Sequence, residues 1–221
     1  MLVAMPRTLF VAVLAFALVP VALAAGPRNA EQVRFNRADQ AAARAAVLRK
    51  ADLGSGWGGG RTKPDTSAKM SCRGYEPKQS DLVLTGAAET VWGRSGIELQ
   101  SLAQVLRTPA MVARDWQRTV VDRRAITCLR TTLAKGLTSS ERLVSFRQAA
   151  FPRLARYSRL YRAVIEVHAQ GQKVRVFADF VLVGRRRTEL TLSVTAPNAL
   201  RATVSRAEVK WARAMLGRAR A

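Results

Sequence analysis

Residues 160–195 read LYRAVIEVHAQGQKVRVFADFVLVGRRRTELTLSVT. Three runs within this stretch, 160–169, 173–183 and 188–195, alternate apolar and polar residues with period two, the pattern of antiparallel strands that bury one face. With Gln170-Gly171 as a two-residue hairpin loop, Tyr161 falls opposite Phe180, Ala163 opposite Ala178, Ile165 opposite Val176 and Val167 opposite Val174, all on one face. The other face then pairs Glu166 with Arg175 and Arg162 with Asp179, and a register slipped by one residue destroys both opposite-charge pairs. A three-residue turn at Arg185, Arg186 and Arg187 extends the meander, setting Leu182 against Leu190, Phe180 against Leu192 and Ala178 against Val194.

Outward from this core, residues 145–154 supply a fourth strand at the edge of the meander. After Ala196-Pro197, Asn198 caps a final helix in which Leu200, Val204, Ala207, Trp211 and Met215 recur at helical spacing, a stripe fitted to the apolar face of the sheet. Upstream, residues 82–92 and 97–107 read as two strands joined by the turn-prone Gly93-Arg94-Ser95-Gly96. Thr108-Pro109 reads as N-cap and first residue of a helix with Met111, Val112, Trp116, Thr119 and Val120 on one face. A further helix, about residues 124–135, carries Cys128 and stops at Gly136. Residues 30–53, rich in Ala, Arg and Gln, read as a surface helix ending at Gly54, and residues 54–81 as an irregular stretch holding Trp57, Cys72 and Tyr75. The expected fold is α+β: an antiparallel meander flanked by N-terminal, central and C-terminal helices, with one disulfide.

Residues 1–25, MLVAMPRTLFVAVLAFALVPVALAA, combine a short basic start, an apolar run and Ala22-Leu23-Ala24, the small-x-small pattern cleaved by signal peptidase. The apolar stretch is 17 residues and contains Pro20, short of the ~20 residues that span a bilayer. Residues 1–24 are therefore expected to be a signal peptide and residues 25–221 a single exported domain, secreted or held in the cell envelope. No cysteine stands at the cleavage site, where Gly26 follows Ala25, so no lipid anchor through an N-terminal Cys is expected. Cys72 and Cys128, an even pair in an oxidising compartment, are expected to form the disulfide.

The chain carries 37 Lys and Arg against 15 Asp and Glu, a net charge of +22, which attracts polyanions. Its basic residues are scattered, and aromatic residues make up only 6%, whereas a nucleic-acid face clusters cations with stacking aromatics, so no specific nucleic-acid partner is expected. Thirty of the basic residues are Arg in a chain rich in Ala, Gly and Val, a bias that codon composition by itself explains.

No catalytic signature stands out. Gly54-Ser55-Gly56-Trp57-Gly58-Gly59 matches G-x-G-x-x-G but follows a helix where a dinucleotide fingerprint follows a strand. His168, the single histidine, lies near a hairpin end about 20 Å along the strand from Asp179, too far for a relay with Ser193, even though Asp179 and Ser193 oppose each other in the expected register. The 15 carboxylates are dispersed, with no pair at a helical spacing in an apolar setting. Two sulfurs 56 positions apart and one histidine do not make a zinc site, and no metal or cofactor is expected. Arg185, Arg186 and Arg187, the densest basic cluster, form a candidate anion contact at a hairpin tip. Trp92, Trp116 and Trp211 read as core residues.

The order of an export signal, an N-terminal helix ending in Ala51-Asp52-Leu53-Gly54-Ser55-Gly56-Trp57, a Cys pair, a Thr-Pro helix carrying Arg114-Asp115-Trp116, a meander and a closing helix resembles a group of actinobacterial exported domains. That group includes the extracellular sensor domain of receptor-type Ser/Thr kinases and the secreted PsbP-like lipoproteins. The resemblance covers roughly residues 30–217, although this chain has no kinase segment and no lipid-anchoring Cys. It implies an antiparallel sheet flanked by helices and ligand binding in a cleft. The expected function is accordingly noncatalytic and sensor-like: binding a small hydrophobic or amphipathic ligand between sheet and helix. The alternative is a basic surface that adheres to anionic envelope polymers or membrane lipids.

Overall fold

The computed structural model describes residues 29–66, 70–169 and 171–221; the expected signal peptide lies outside the described residues. In chain order the elements are β1 (Gln32–Val33), α1 (Arg37–Ala46), α2 (Lys50–Leu53), β2 (Gly58–Thr62), β3 (Val83–Arg94), β4 (Ile97–Leu106) and α3 (Pro109–Asp115). A π-helical turn (Trp116–Val121) leads into α4 (Arg123–Gly136), β5 (Glu141–Ala149), β6 (Tyr157–Ala169), β7 (Gln172–Arg185), β8 (Thr188–Pro197), a 3-10 turn (Asn198–Leu200) and α5 (Arg201–Arg218). The strands form one sheet in the order β1-β3-β4-β8-β7-β6-β5, with β2 also paired to β3; every pairing is antiparallel except that of β1 with β3. Helices cover both faces, so the fold is α+β with a packed layer on each side of the sheet.

The β6–β7 hairpin has the expected register, with Ala169 opposite Gln172, Glu166 opposite Arg175 and Arg162 opposite Asp179. The next hairpin differs by one residue. Arg185 pairs with Thr188, so the turn is the two residues Arg186 and Arg187, and Leu190, Leu192 and Val194 face Val183, Val181 and Asp179 rather than Leu182, Phe180 and Ala178. Arg186 adopts φ +53°, the left-handed conformation that lets a two-residue turn match the twist of its strands. Because strand side chains alternate, this single step sends β8's apolar residues to one face of the sheet and Glu189, Thr191, Ser193 and Thr195 to the other.

The helix α5 follows the apolar residues. It packs Val204, Trp211, Ala212, Met215 and Leu216 over Phe177, Val181, Val183, Leu190, Leu192, Val194 and Ala196. This is the face that carries Arg162 and Asp179, not the Tyr161–Phe180 face on which the sequence placed the closing helix. The Tyr161–Phe180 face is covered instead by the π-helical turn and α4, with Trp116, Val120, Ile126 and Phe146 around Tyr161.

The N-terminal segment is not one surface helix. Asn36 caps α1 by accepting a hydrogen bond from the Asp39 amide at 2.9 Å, and Ala43 and Ala46 are fully buried. The chain then breaks at Leu48, whose amide donates to Ser101 Oγ at 3.0 Å and whose carbonyl accepts from Thr90 Oγ1 at 3.2 Å. Two strand hydroxyls thus satisfy the backbone that a continuous helix would have satisfied itself. Helix α1 lies so close to β3 that a Cβ on Gly86 would stand 2.3 Å from the Asp39 carbonyl oxygen.

The described residues between 54 and 81 are more ordered than their composition suggests. Gly58–Thr62 pairs with β3, and Gly59 sits at φ +129° against the Val91 carbonyl, where any Cβ would collide at 2.1 Å. These glycines serve close strand approach and open no helix, as a dinucleotide fingerprint requires. Trp57 is buried edge-on against Trp211, with ring centroids 5.6 Å apart, and is therefore core rather than an exposed contact. Cys72 and Cys128 form the expected disulfide, tying this segment to α4. The edge strand begins at Glu141, four residues before its expected start, and ends at Ala149.

Candidate functional site

Thr108 caps α3 with its hydroxyl, Pro109 occupies the first turn, and the helix widens into a π turn after Asp115. Such turns insert one residue into the helical ladder and recur at functional sites. Here the widening sets Asp115, Trp116, Thr119 and Val120 over the polar side of β4 and β8. Between them lies a cavity of about 190 Å³. Its floor is Gln104, Glu189 and Thr191 from the sheet, its apolar walls include Leu82, Leu106, Trp116, Val120 and Leu182, and Glu31 and Gln79 close its rim.

Three carboxyl groups converge on this space. Asp115 and Glu189 lie close enough that each acts on the other's titration, and the Thr119 hydroxyl donates to Asp115 Oδ2 at 3.3 Å. Burial pushes the Asp115 carboxyl up, while contacts from Glu189, Thr119 and Arg118 pull it back. Burial pushes Glu189 well above the usual carboxylate range, reinforced by the negative charges of Asp115 and Glu31. Glu31 is raised to about 7, chiefly by burial and secondarily by Asp115.

No ion pair neutralises these groups among the described residues. The arginines on the same helical segment turn to Asp81 instead: Arg118 donates to both of its carboxylate oxygens at 2.7 and 3.1 Å, and Arg114 Nε lies 3.5 Å away. Glu189 is half-buried as a residue, yet its Oε1 is sealed from solvent without a hydrogen-bond partner. The described residues contain no group of three or more His, Cys, Asp or Glu side chains arranged to hold a metal ion.

The residues singled out in the sequence lie elsewhere. Arg187 donates to both oxygens of Asp39, at 2.8 and 3.0 Å, pinning the hairpin tip to the start of α1, while Arg185 and Arg186 are exposed at the tip. His168 is exposed near the end of the β6–β7 hairpin, with Nε2 3.4 Å from Glu166 Oε1, a carboxylate also bound by Arg142 at 3.0 Å. Ser193 pairs with Phe180, not with Asp179, so the expected Ser193–Asp179 juxtaposition does not exist. Asp179 is fully buried beneath α5, where it binds Arg162, which also donates to Ser205 Oγ at 2.9 Å. Beside them Glu208 is almost fully buried and raised to about 9, first by burial and then by the charge of Asp179. This network lies within the packing of α5 on the sheet and is structural.

The sequence reading missed Glu31, Asp115 and Glu189 because it sought carboxylates at helical spacing on one element. These three come from an N-terminal segment, a helix end and a strand. The odd-numbered polar run Glu189, Thr191, Ser193, Thr195 carried the signal, but the one-residue error at the preceding turn pointed it to the wrong face. Compared with models of protein families and with curated proteins, the chain matches none. Among the described residues, no helix is long and apolar enough to cross a membrane.

Proposed function

We propose that this chain is an exported, noncatalytic binding domain whose cleft between the sheet and the α3–π helical segment receives a small amphipathic ligand. The observation that carries the reading is the cavity of about 190 Å³, in which apolar walls meet three carboxyl groups. Ligand pockets characteristically combine apolar linings with a few convergent polar groups and perturbed titration. Export agrees with the apolar leader at residues 1–25 and with the Cys72–Cys128 disulfide, and a sensor-like role agrees with the order of elements noted above.

The decisive experiment is native mass spectrometry of the chain secreted by its own host, followed by release of any retained molecule. The expected result is an oxidised chain beginning near Ala25 that carries additional mass, and loss of that mass in a Trp116→Ala variant. A bare chain whose adhesion to anionic vesicles disappears in high salt would overturn the cleft reading in favour of the basic surface.

A second reading follows from Asp115 and Glu189 lining one cavity, since two neighbouring carboxyl groups that burial raises can serve as general acid and general base. Under that reading the released molecule would be a product, and the bound mass would change on incubation at neutral pH. A bound mass that stays constant favours binding alone.

A further inference from the structure

We propose that the outer side of α5, together with the β7–β8 tip, is a docking surface for an anionic lipid bilayer, held by Arg206, Lys210, Arg213, Arg220, Arg185 and Arg186. This surface is independent of the cleft. The two lie on opposite faces of the sheet, so a retained ligand and adhesion to a membrane are compatible.

Placement is the first argument. Arg206, Lys210 and Arg213 recur on the exposed side of α5 over a span of about 10 Å, at ~1.5 Å of rise per residue. Past the helix, the Ala221 carbonyl oxygen lies 3.5 Å from Thr188 Oγ1 at the base of the β7–β8 tip, so the exposed Arg220, Arg185 and Arg186 stand at the end of this row. None of the six forms an ion pair among the described residues. The second argument is that the layer is of one sign. The acidic residues of α1, α2 and α5 are Asp39, Asp52 and Glu208. Asp39 is held by Arg187 at 2.8 Å, Asp52 by Arg218 at 2.7 Å, and Glu208 is buried, so these helices present no unpaired carboxylate to solvent. The cations lie within the ~10 Å over which charges act together at 0.1 M salt.

Shape selects the occupant. The outer side of a helix is convex, and none of the six cations lines the cavities beside Trp116, Trp92 and His168. A polyanionic strand is tracked by a groove with stacking aromatics, whereas the one aromatic of α5, Trp211, is buried against Trp57. A bilayer instead offers a plane of headgroups that a convex row of cations meets directly. The exposed large apolar residues, Val33, Phe35, Val144 and Val174, are on neither α5 nor the tip, so the contact is electrostatic and inserts nothing. Each Lys or Arg near an anionic leaflet contributes ~1 kcal/mol, about fivefold in partitioning. Removing three from α5 therefore weakens binding about 100-fold, and removing two from the tip about 25-fold. A codon-driven excess of arginine makes the opposite prediction, that any three exposed cations are equivalent.

The test is co-sedimentation of the secreted, oxidised chain with vesicles of equal parts phosphatidylglycerol and phosphatidylcholine, against pure phosphatidylcholine vesicles. Wild type is expected to bind the mixed vesicles, to ignore the neutral ones and to be released by high salt. The triple variant Arg206→Gln, Lys210→Gln, Arg213→Gln should bind about 100-fold more weakly. Its control is Arg123→Gln, Arg130→Gln, Lys135→Gln, which removes the same charge from exposed, unpaired positions of α4 on the opposite face and should weaken binding less than about threefold. Should the α5 variant lower the thermal midpoint, Arg185→Gln with Arg186→Gln serves, with a loss of about 25-fold. Equal losses from the α4 and α5 variants, equal binding to neutral vesicles, or no binding to either would overturn the assignment. Displacement from the vesicles by soluble polyphosphate at equal phosphate concentration would overturn it in favour of an anionic polymer. Native mass spectrometry of the α5 variant keeps the cleft separate: mass retained by that variant preserves the cleft reading whichever way the vesicle test falls.

Discussion

Replacing Arg187 with Ala removes the clamp between the β7–β8 turn and the first turn of α1. The Asp39 carboxyl is held at about 2 against an ordinary value of 3.8, with Arg187 the largest cause and Asn36 and Thr85 contributing smaller hydrogen bonds. At ~1.4 kcal/mol per tenfold change in proton affinity, the gap corresponds to a ceiling of roughly 2.4 kcal/mol. The Arg187 side chain is 31% exposed, so solvent screening lowers the expected loss at pH 7 to about 1–2 kcal/mol. Asp39 keeps Asn36 and Thr85 in the variant, which avoids the larger cost of an orphaned buried charge. Urea unfolding followed by tryptophan fluorescence measures the difference, and with a slope of ~1–3 kcal/mol/M the midpoint should move by about 0.5–1.5 M. Because the folded value lies below the unfolded one, the stabilisation is complete above pH ~4 and is lost as pH falls through 2; the gap between wild type and variant should shrink to about half by pH 3. Equal midpoints at pH 7, or a gap unchanged between pH 7 and pH 3, would refute the clamp and return Arg187 to the role of an anion contact.

Glu208→Gln should have the opposite pH signature. Its folded value of about 9 lies above the unfolded 4.5, so wild-type stability is complete below 4.5 and declines as pH rises toward 9; thermal melting should show parity near pH 4 and a variant about 1–4 kcal/mol more stable at pH 8. Gly86→Ala would place a methyl 2.3 Å from the Asp39 carbonyl oxygen and force α1 off β3, costing about 3 kcal/mol in chemical denaturation, with faster amide exchange over Arg37–Ala46. Trp57→Ala would empty the site beside Trp211 and cost about 3–5 kcal/mol, whereas an exposed contact residue would cost less than ~0.5 kcal/mol, so the denaturation midpoint distinguishes the two placements.

The sequence by itself determined everything that local patterning controls. Period-two alternation and the Gln170-Gly171 turn specified the β6–β7 register, since only one alignment satisfies both Glu166 with Arg175 and Arg162 with Asp179. Thr108-Pro109 specified where α3 begins, and the two cysteines specified the bridge. Tertiary structure decided what local patterning leaves degenerate. Three consecutive arginines fit a two- or three-residue turn equally well, and only the packing of Leu190, Leu192 and Val194 beneath α5 selects the former. That choice fixed which side Glu189 occupies and hence whether a cavity could collect it with Asp115 and Glu31. Ala-rich helical propensity in residues 30–53 likewise yielded to the hydroxyls of Thr90 and Ser101, which offered the backbone at Leu48 better partners than another helical turn. The site is built from groups more than 70 residues apart in the chain, and no spacing within one element encodes such a meeting, because the energy that enforces it comes from burying both faces of the sheet.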